Sequence, residues 1–295
     1  MKSINITRRN FEKLQRLRLS NLVMNQESTI YLMKFKNRWK QALKVLKILF
    51  RSKGDIFSTK LFTISYLMDH KDEIAIDELV IPDSLLSIDG ELRGFIMPYI
   101  EGENFQDILN RSDLSIEEKI KYFKEIGELL EKLKQLRTHS FLKDIYLNDI
   151  HESNFVLNPE TNKLNVVDLD SAKVGPTFPQ LSKYLSPFSP ISKVTKYKPV
   201  THSVGGSFEV SEDTDIYCYV VMIFKYFLGI NITRLSIEDF YLVLEYLQNI
   251  GLDKELVQIL SFIYLEKPNE NPKDYLEAFQ KVNIDEDELR LILKK

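Results

Sequence analysis

In "YLNDIHESNFVLN", residues 146–158, Asp149 is followed by His151 and then by Asn154. A second acidic pair, Asp168 and Asp170, lies in "VVDLDSA" after an apolar run. A carboxylate at the start of such a loop can accept the proton of a hydroxyl. The amide oxygen of Asn154 and the carboxylate of Asp168 can share a hard divalent cation, because magnesium takes oxygen ligands and keeps water or phosphate in its remaining positions. These are the parts of a phosphoryl-transfer site, where positioning and charge neutralisation supply most of the catalysis. Asp170 has two readings, a further carboxylate beside the metal or a loop cap. His151 either positions phosphate or substrate, or only packs. Asp149 and Asn154 are also ordinary turn residues, but their register with Asp168 favours the chemical reading.

Both acidic stretches need elements to hold them. The short runs "NFVLN" and "KLNVVDL", joined by the turn-rich "PETNK", read as strands that carry the loops. Upstream, "LSIEEKIKYFKEIGELLEKLKQLR" is a long amphipathic helix, and Ser115 with Glu118 forms a capping-box pattern. Downstream, "IYCYVVMIFKYFLG" is too short to span a bilayer and contains Lys225, so it reads as a buried core helix. Helical patterns continue from Asp215 to the end. Between them, residues 171–213 are rich in Ser, Thr, Pro and Lys, and a loop of that length is usually functional.

The first hundred residues differ. "STIYLMKFKNRW" and "QALKVLKILF" read as strands, and Asp89-Gly90 marks a hairpin between apolar runs. "STKLFTISYLM" reads as a helix capped by Ser58, and the spacing of Phe11, Leu14 and Leu17 suggests a helix over residues 5–19. The division falls near Glu101-Gly102: residues 1–102 are strand-rich and residues 103–295 mainly helical.

The composition is that of a folded chain, 44% hydrophobic and 28% charged over 295 residues. One cysteine, Cys218, excludes an internal disulfide and suggests a reducing, cytoplasmic setting. The N-terminus lacks the apolar core of a secretory signal. Residues 1–60 hold 15 Lys/Arg against 3 Asp/Glu in a chain of net charge −3. That asymmetry is either a solvated basic face or the mark of an anionic partner.

Taken in order, these stretches resemble the protein-kinase-like superfamily. "NDIHESN" resembles its catalytic loop, "VVDLD" the strand ending in the metal-binding aspartate, "QALKVLK" the third strand, "FIMPYIEG" the hinge and "SEDTDIYCYVVMIF" the start of the central helix. The resemblance implies an α+β, bilobal fold that takes ATP and Mg2+. It implies that Lys44 holds the phosphates, although Lys40 and Lys47 flank it. Met97 would be the gatekeeper, the backbone of Pro98 and Ile100 would meet adenine, and Asp215 would brace the catalytic loop. Asp149 would be the base, with Asn154, Asp168 and Asp170 on the metal side.

The departures from the pattern are specific. No glycine-rich loop precedes the first hairpin, where "VMNQES" stands. No acidic residue lies between Ile56 and Met68, so the helix acid that pairs with the strand lysine is missing; Asp55, Asp69 and Glu73 flank the gap. Asn148 replaces the arginine before the catalytic aspartate. His151 resembles the loop of aminoglycoside-type small-molecule kinases. The expectation is a kinase acting on a protein Ser/Thr hydroxyl. A small-molecule hydroxyl kinase and a pseudokinase binding module are the alternatives.

Overall fold

A computed structural model of the chain describes residues 2–16, 28–36, 41–51, 54–139, 142–177, 210–261 and 271–294. The glycine-loop position at 23–27, residue Lys40 and most of the Ser/Thr-rich loop, from 178 to 209, lie outside them. The protein is mixed α and β, strand-rich in its N-terminal region and helical in its C-terminal part.

The N-terminal region is a six-stranded sheet ordered β1-β5-β6-β4-β3-β2. Its strands are β1 (Ser3–Ile6), β2 (Gln15–Arg16), β3 (Ser28–Lys36), β4 (Gln41–Leu49), β5 (Ser84–Ile88) and β6 (Glu91–Pro98). β1 runs parallel to β5, and the other pairings are antiparallel. The long helix expected over residues 5–19 is not formed within its described residues, 5–16. Only α1 (Arg8–Phe11) is helical, and Ile4 and Ile6 pack instead on the outer face of the sheet with Leu46, Leu86 and Ile96. The apolar spacing there comes from two strands and a turn, with Leu14 joining the same cluster.

Asp89 and Gly90 make the hairpin turn between β5 and β6, with φ of 49° and 83°. Positive φ at both central residues matches the right-handed twist of the flanking strands. The Asp89 side chain accepts from the backbone of Arg8, and the backbone of Gly90 donates to Asn5 Oδ1. The turn thus also anchors β1.

β4 divides its side chains between two faces. Lys44, Leu46 and Ile48 point one way, and Val45, Lys47 and Leu49 the other, as the two-residue period of a strand requires. On the second face lies α2 (Gly54–Asp69), which buries Leu61 and Ile64 against Leu49, Phe95 and Met97. It starts four residues before the expected Ser58 cap. α3 (Lys71–Ile74) follows it.

Beyond Gly102 the chain enters a second, three-stranded sheet, β10-β9-β7, from β7 (Glu103–Asn104), β9 (Phe155–Asn158) and β10 (Lys163–Val166). A two-stranded ribbon pairs β8 (Ile145–Tyr146) with β11 (Lys173–Val174). Residues 147–154 link β8 to β9, and residues 167–172 link β10 to β11. The two acidic loops therefore spring from paired strands and lie side by side. The backbone of Val167 donates to Asn154 O at 2.9 Å, which joins them.

Helices pack behind these strands: α4 (Phe105–Leu109), α5 (Ile116–His139), α6 (Glu212–Phe227), α7 (Ile237–Asn249), α8 (Lys254–Ser261) and α9 (Glu286–Ile292), with 3-10 turns over Pro272–Lys281. The capping box of α5 is reciprocal: Glu118 N donates to Ser115 Oγ at 3.2 Å and Ser115 N donates to Glu118 Oε2 at 3.1 Å. α6 is buried along its whole apolar run, from Ile216 to Phe224. Among the described residues no helix is long and apolar enough to cross a membrane.

Gly94 on β6 is where the sheet tolerates no side chain. A Cβ there would lie 1.9 Å from the carbonyl oxygen of Lys47. A Cβ on Gly90 would meet nothing within 4 Å. Gly94→Ala is expected to cost about 1–3 kcal/mol or more through displaced backbone. Gly90→Ala should cost about 1 kcal/mol, from its left-handed φ alone. Urea denaturation of both variants checks the order, and a larger loss at Gly90 would contradict it.

Candidate functional site

Three elements meet at the carboxylates. Lys47 Nζ, from β4, lies 2.8 Å from both oxygens of Asp168 and 2.7 Å from Asp170 Oδ2. Lys60 Nζ, from α2, lies 2.8 Å from Asp170 Oδ1 and 3.5 Å from Ser171 Oγ. Asp170 is 1% exposed, whereas the Asp168 side chain is 36% exposed. Two ammonium groups and two carboxylates therefore form one cluster with no net charge.

Burial and charge oppose each other throughout this cluster. Burial disfavours the Lys47 ammonium, but the Asp168 and Asp170 carboxylates outweigh it and hold the lysine above its ordinary range. Lys60 is raised for the same reason, burial being overcome chiefly by Asp170. Burial would push Asp170 up, yet Lys47 and Lys60 hold its carboxyl below the usual range. Asp168 goes the other way, raised by burial and by the Asp170 charge despite Lys47.

Lys44, the lysine that the resemblance places at the phosphates, does not face this cluster. Lys44 points to the opposite face of β4 and its Nζ meets Asp83 Oδ2 at 2.6 Å. Lys47 is three residues further on, and in a strand an odd separation reverses the face. For Asp170 the expectation is a metal-side carboxylate or a loop cap. Both its oxygens face lysines, so Asp168 is the carboxylate left partly open.

The other expected residues come together nearby. Asn154 turns its amide nitrogen to Asp149 O at 2.8 Å, which directs its amide oxygen the other way. His151 Nδ1 accepts from Ser153 N at 3.2 Å, so the ring proton belongs on Nε2. That nitrogen lies 3.6 Å from Asp149 Oδ2. Met97 is buried among Leu49, Leu61 and Phe95, while Val45, Ile100 and Val167 pack half-buried against the same cluster. Pro98 ends β6 opposite Lys44, and Tyr99 N donates to Leu43 O at 3.3 Å. An apolar surface thus adjoins the charged cluster.

Asp215, at the start of α6, fixes the Asp149 loop from behind. Its carboxylate accepts from Leu147 N at 2.9 Å and from Asn148 N at 2.6 Å. Asn148 adopts φ 62°, a left-handed conformation that asparagine tolerates better than most residues. Its side-chain nitrogen donates to Ser171 O at 2.9 Å, tying the two acidic loops a second time. Glu152 is fully buried and its Oε1 accepts from Lys225 Nζ at 2.7 Å. The side chain of Asp55 lies outside the described residues.

Sequence reasoning missed Lys60 and Glu152. Lys60 carried a signal, because it sits one turn from Phe57 and from Ile64, within the face that α2 buries. Glu152 carried none, since an acid in a polar loop gives no sign that it will be enclosed.

Oxygen ligands for a magnesium ion are present at Asp168 and Asn154. Among the described residues no group of three or more His, Cys, Asp or Glu side chains is placed for a metal. Magnesium does not require one, since it is commonly held by one or two carboxylates with substrate phosphates and waters. The chain matches no protein-family model and no curated protein.

Two measurements probe this geometry. Lys47→Met leaves two carboxylates short of a buried cation and is expected to cost about 3–5 kcal/mol. Lys44→Met breaks a part-exposed pair and should cost less than about 1 kcal/mol. Equal losses in urea denaturation would contradict the assignment of faces.

Burial raises the Asp215 carboxyl to about 6, against the pull of the two loop amides. A raised folded value means that the protonated acid favours folding in acid and that this contribution is lost as pH rises through about 6. The stability advantage of the native chain over Asp215→Asn should therefore shrink by about 1 kcal/mol between pH 5 and 7. An advantage that grew with pH would show that the amides outweigh burial.

Proposed function

We propose that this chain is an ATP- and magnesium-dependent phosphotransferase with a bilobal, protein-kinase-like fold. The observation that carries the reading is the reach of Lys47 from β4 to Asp168, at 2.8 Å, beside the loop that holds Asp149 and Asn154. A strand lysine, a loop carboxylate and a second, partly exposed carboxylate are the recurring parts of phosphoryl transfer. In this reading Lys47, not Lys44, meets the nucleotide phosphates. The apolar surface of Val45, Met97, Ile100 and Val167 receives the adenine, beside the backbone of Pro98 and Ile100.

Asp149 orients the acceptor hydroxyl and takes its proton. His151 Nε2 stands 3.6 Å from the Asp149 carboxylate, and the Asp149 backbone is held by Asn154. Asp168 and Asn154 would hold magnesium, which supplies neutralisation of the phosphate charge. Asp215 keeps the loop in place through two backbone amides. The acceptor in this proposal is a Ser/Thr hydroxyl of a protein.

The placement of His151 favours a second reading, in which the acceptor is a small-molecule hydroxyl. The ring is close to the base and forms part of the acceptor side of the loop. Labelled ATP with magnesium, incubated with and without cell extract, separates these outcomes. Label in protein supports the first reading, and label confined to small molecules supports the second. Nucleotide binding without transfer would mean a pseudokinase.

Two substitutions test the division of roles. Asp149→Asn should keep ATP affinity within a few-fold and lower transfer by about a hundredfold or more. Asp168→Asn should lose magnesium-dependent nucleotide binding while remaining folded. If affinity falls in parallel with transfer in Asp149→Asn, the carboxylate is not acting at the acceptor.

A further inference from the structure

We infer that Lys60 is a positioning residue for the nucleotide site: it neutralises Asp170 so that Lys47 can leave the carboxylates and meet phosphate. This rests on the reading of the site as a nucleotide site. The geometry is a bridge. Asp170 presents one oxygen to each lysine, Oδ1 to Lys60 at 2.8 Å and Oδ2 to Lys47 at 2.7 Å. Lys47 also spans both oxygens of Asp168 at 2.8 Å.

When a nucleotide binds, Lys47 must exchange carboxylate for phosphate. Asp170 cannot follow it into solvent, because it is 1% exposed. A buried carboxylate stripped of its cation is strongly unfavourable. With Lys60 present, Asp170 keeps a partner after Lys47 turns. Without Lys60, Lys47 is the last counter-ion of a buried charge and is retained by it.

The kinase-like pattern anchors its strand lysine through a helix acid, and residues 57–67 of this chain contain none. Here the carboxylate comes from the loop and the helix supplies a second cation. α2 is docked on the same loop by Thr63 Oγ1, which donates to Ala172 O at 3.3 Å. The helix is thus joined to the loop at two points, Lys60 and Thr63. A helix displaced from the loop would carry Lys60 away and leave Lys47 bound.

The test is magnesium-ATP binding to the full chain, measured by calorimetry beside urea denaturation. The native chain should bind. Lys60→Met should bind at least about tenfold more weakly, a loss of about 1.4 kcal/mol. Lys60→Arg should restore affinity to within about threefold, since it supplies the same charge. The double variant Lys60→Met with Asp170→Asn should recover most of the loss, because no buried carboxylate remains to retain Lys47.

A native chain that binds no nucleotide overturns the reading of the site itself. Native binding with an unaffected Lys60→Met, or a double variant no better than Lys60→Met, overturns the role of Lys60 alone. If Lys60→Met does not fold, the double variant is compared with Asp170→Asn. Affinities within threefold support the inference, and a further tenfold loss overturns it.

Discussion

The buried charge cluster of Lys47, Lys60, Asp168 and Asp170 is the constraint on which the arrangement depends. Taking charges out of water is expensive, on the order of several kcal/mol for each ion, and here Lys47, Lys60 and Asp170 are buried while Asp168 stays partly exposed. The cost is met only if every charge finds a partner at close range, which fixes three elements relative to one another. β4 brings Lys47, α2 brings Lys60, and the loop between β10 and β11 brings both aspartates. The sheet and the second, three-stranded layer are held at this point by charge, where elsewhere the helical part is held by apolar packing. Such a cluster is a poor source of net stability but a strict determinant of geometry. A misplaced helix or a slipped strand would leave a buried charge alone.

Much of the fold was readable because its signals are local. The Asp89-Gly90 turn, the Ser115/Glu118 capping box and the apolar run of α6 each depend on a few adjacent residues, and each is found where the residue pattern places it. The N-terminal segment was not, because Phe11, Leu14 and Leu17 fall at helical spacing, whereas Ile4 and Ile6 before them lie in a strand. Pairing of β1 with β5, some 80 residues away, decides for the strand. The same limit applies in the site. Asp149, Asn154, Asp168 and Asp215 follow one another in a legible order, and the bonds of Asp215 to the loop amides agree with the brace that order implies. The lysine is a different matter. Lys44 and Lys47 sit in equally apolar surroundings along the chain, and only the face each takes in the folded sheet separates them.

The two acidic loops share a frame. β8 pairs with β11, β9 pairs with β10, and each loop bridges from one pair to the other. Displacing either loop would therefore strain both ribbons. Asp215 and Asn148 add cross-ties at the back of this frame, and Glu152 with Lys225 adds another from α6. Most side chains that could change protonation or pair with solvent here are instead engaged with backbone or with each other. Rigidity at the carboxylates is what a reaction governed by placement needs, because a displacement of about an ångström in such a site is costly.

Asn148 shows what this rigidity forecloses. It is fully buried, its φ is 62°, its amide hydrogen goes to Asp215 and its side chain reaches Ser171. A guanidinium at this position would have to abandon those bonds and thread its charge out of the interior. The residue is spent on tying two loops together, so it cannot also act as an antenna for charge arriving from outside. The tie between the two loops is thus made within the fold, by groups that are buried in it.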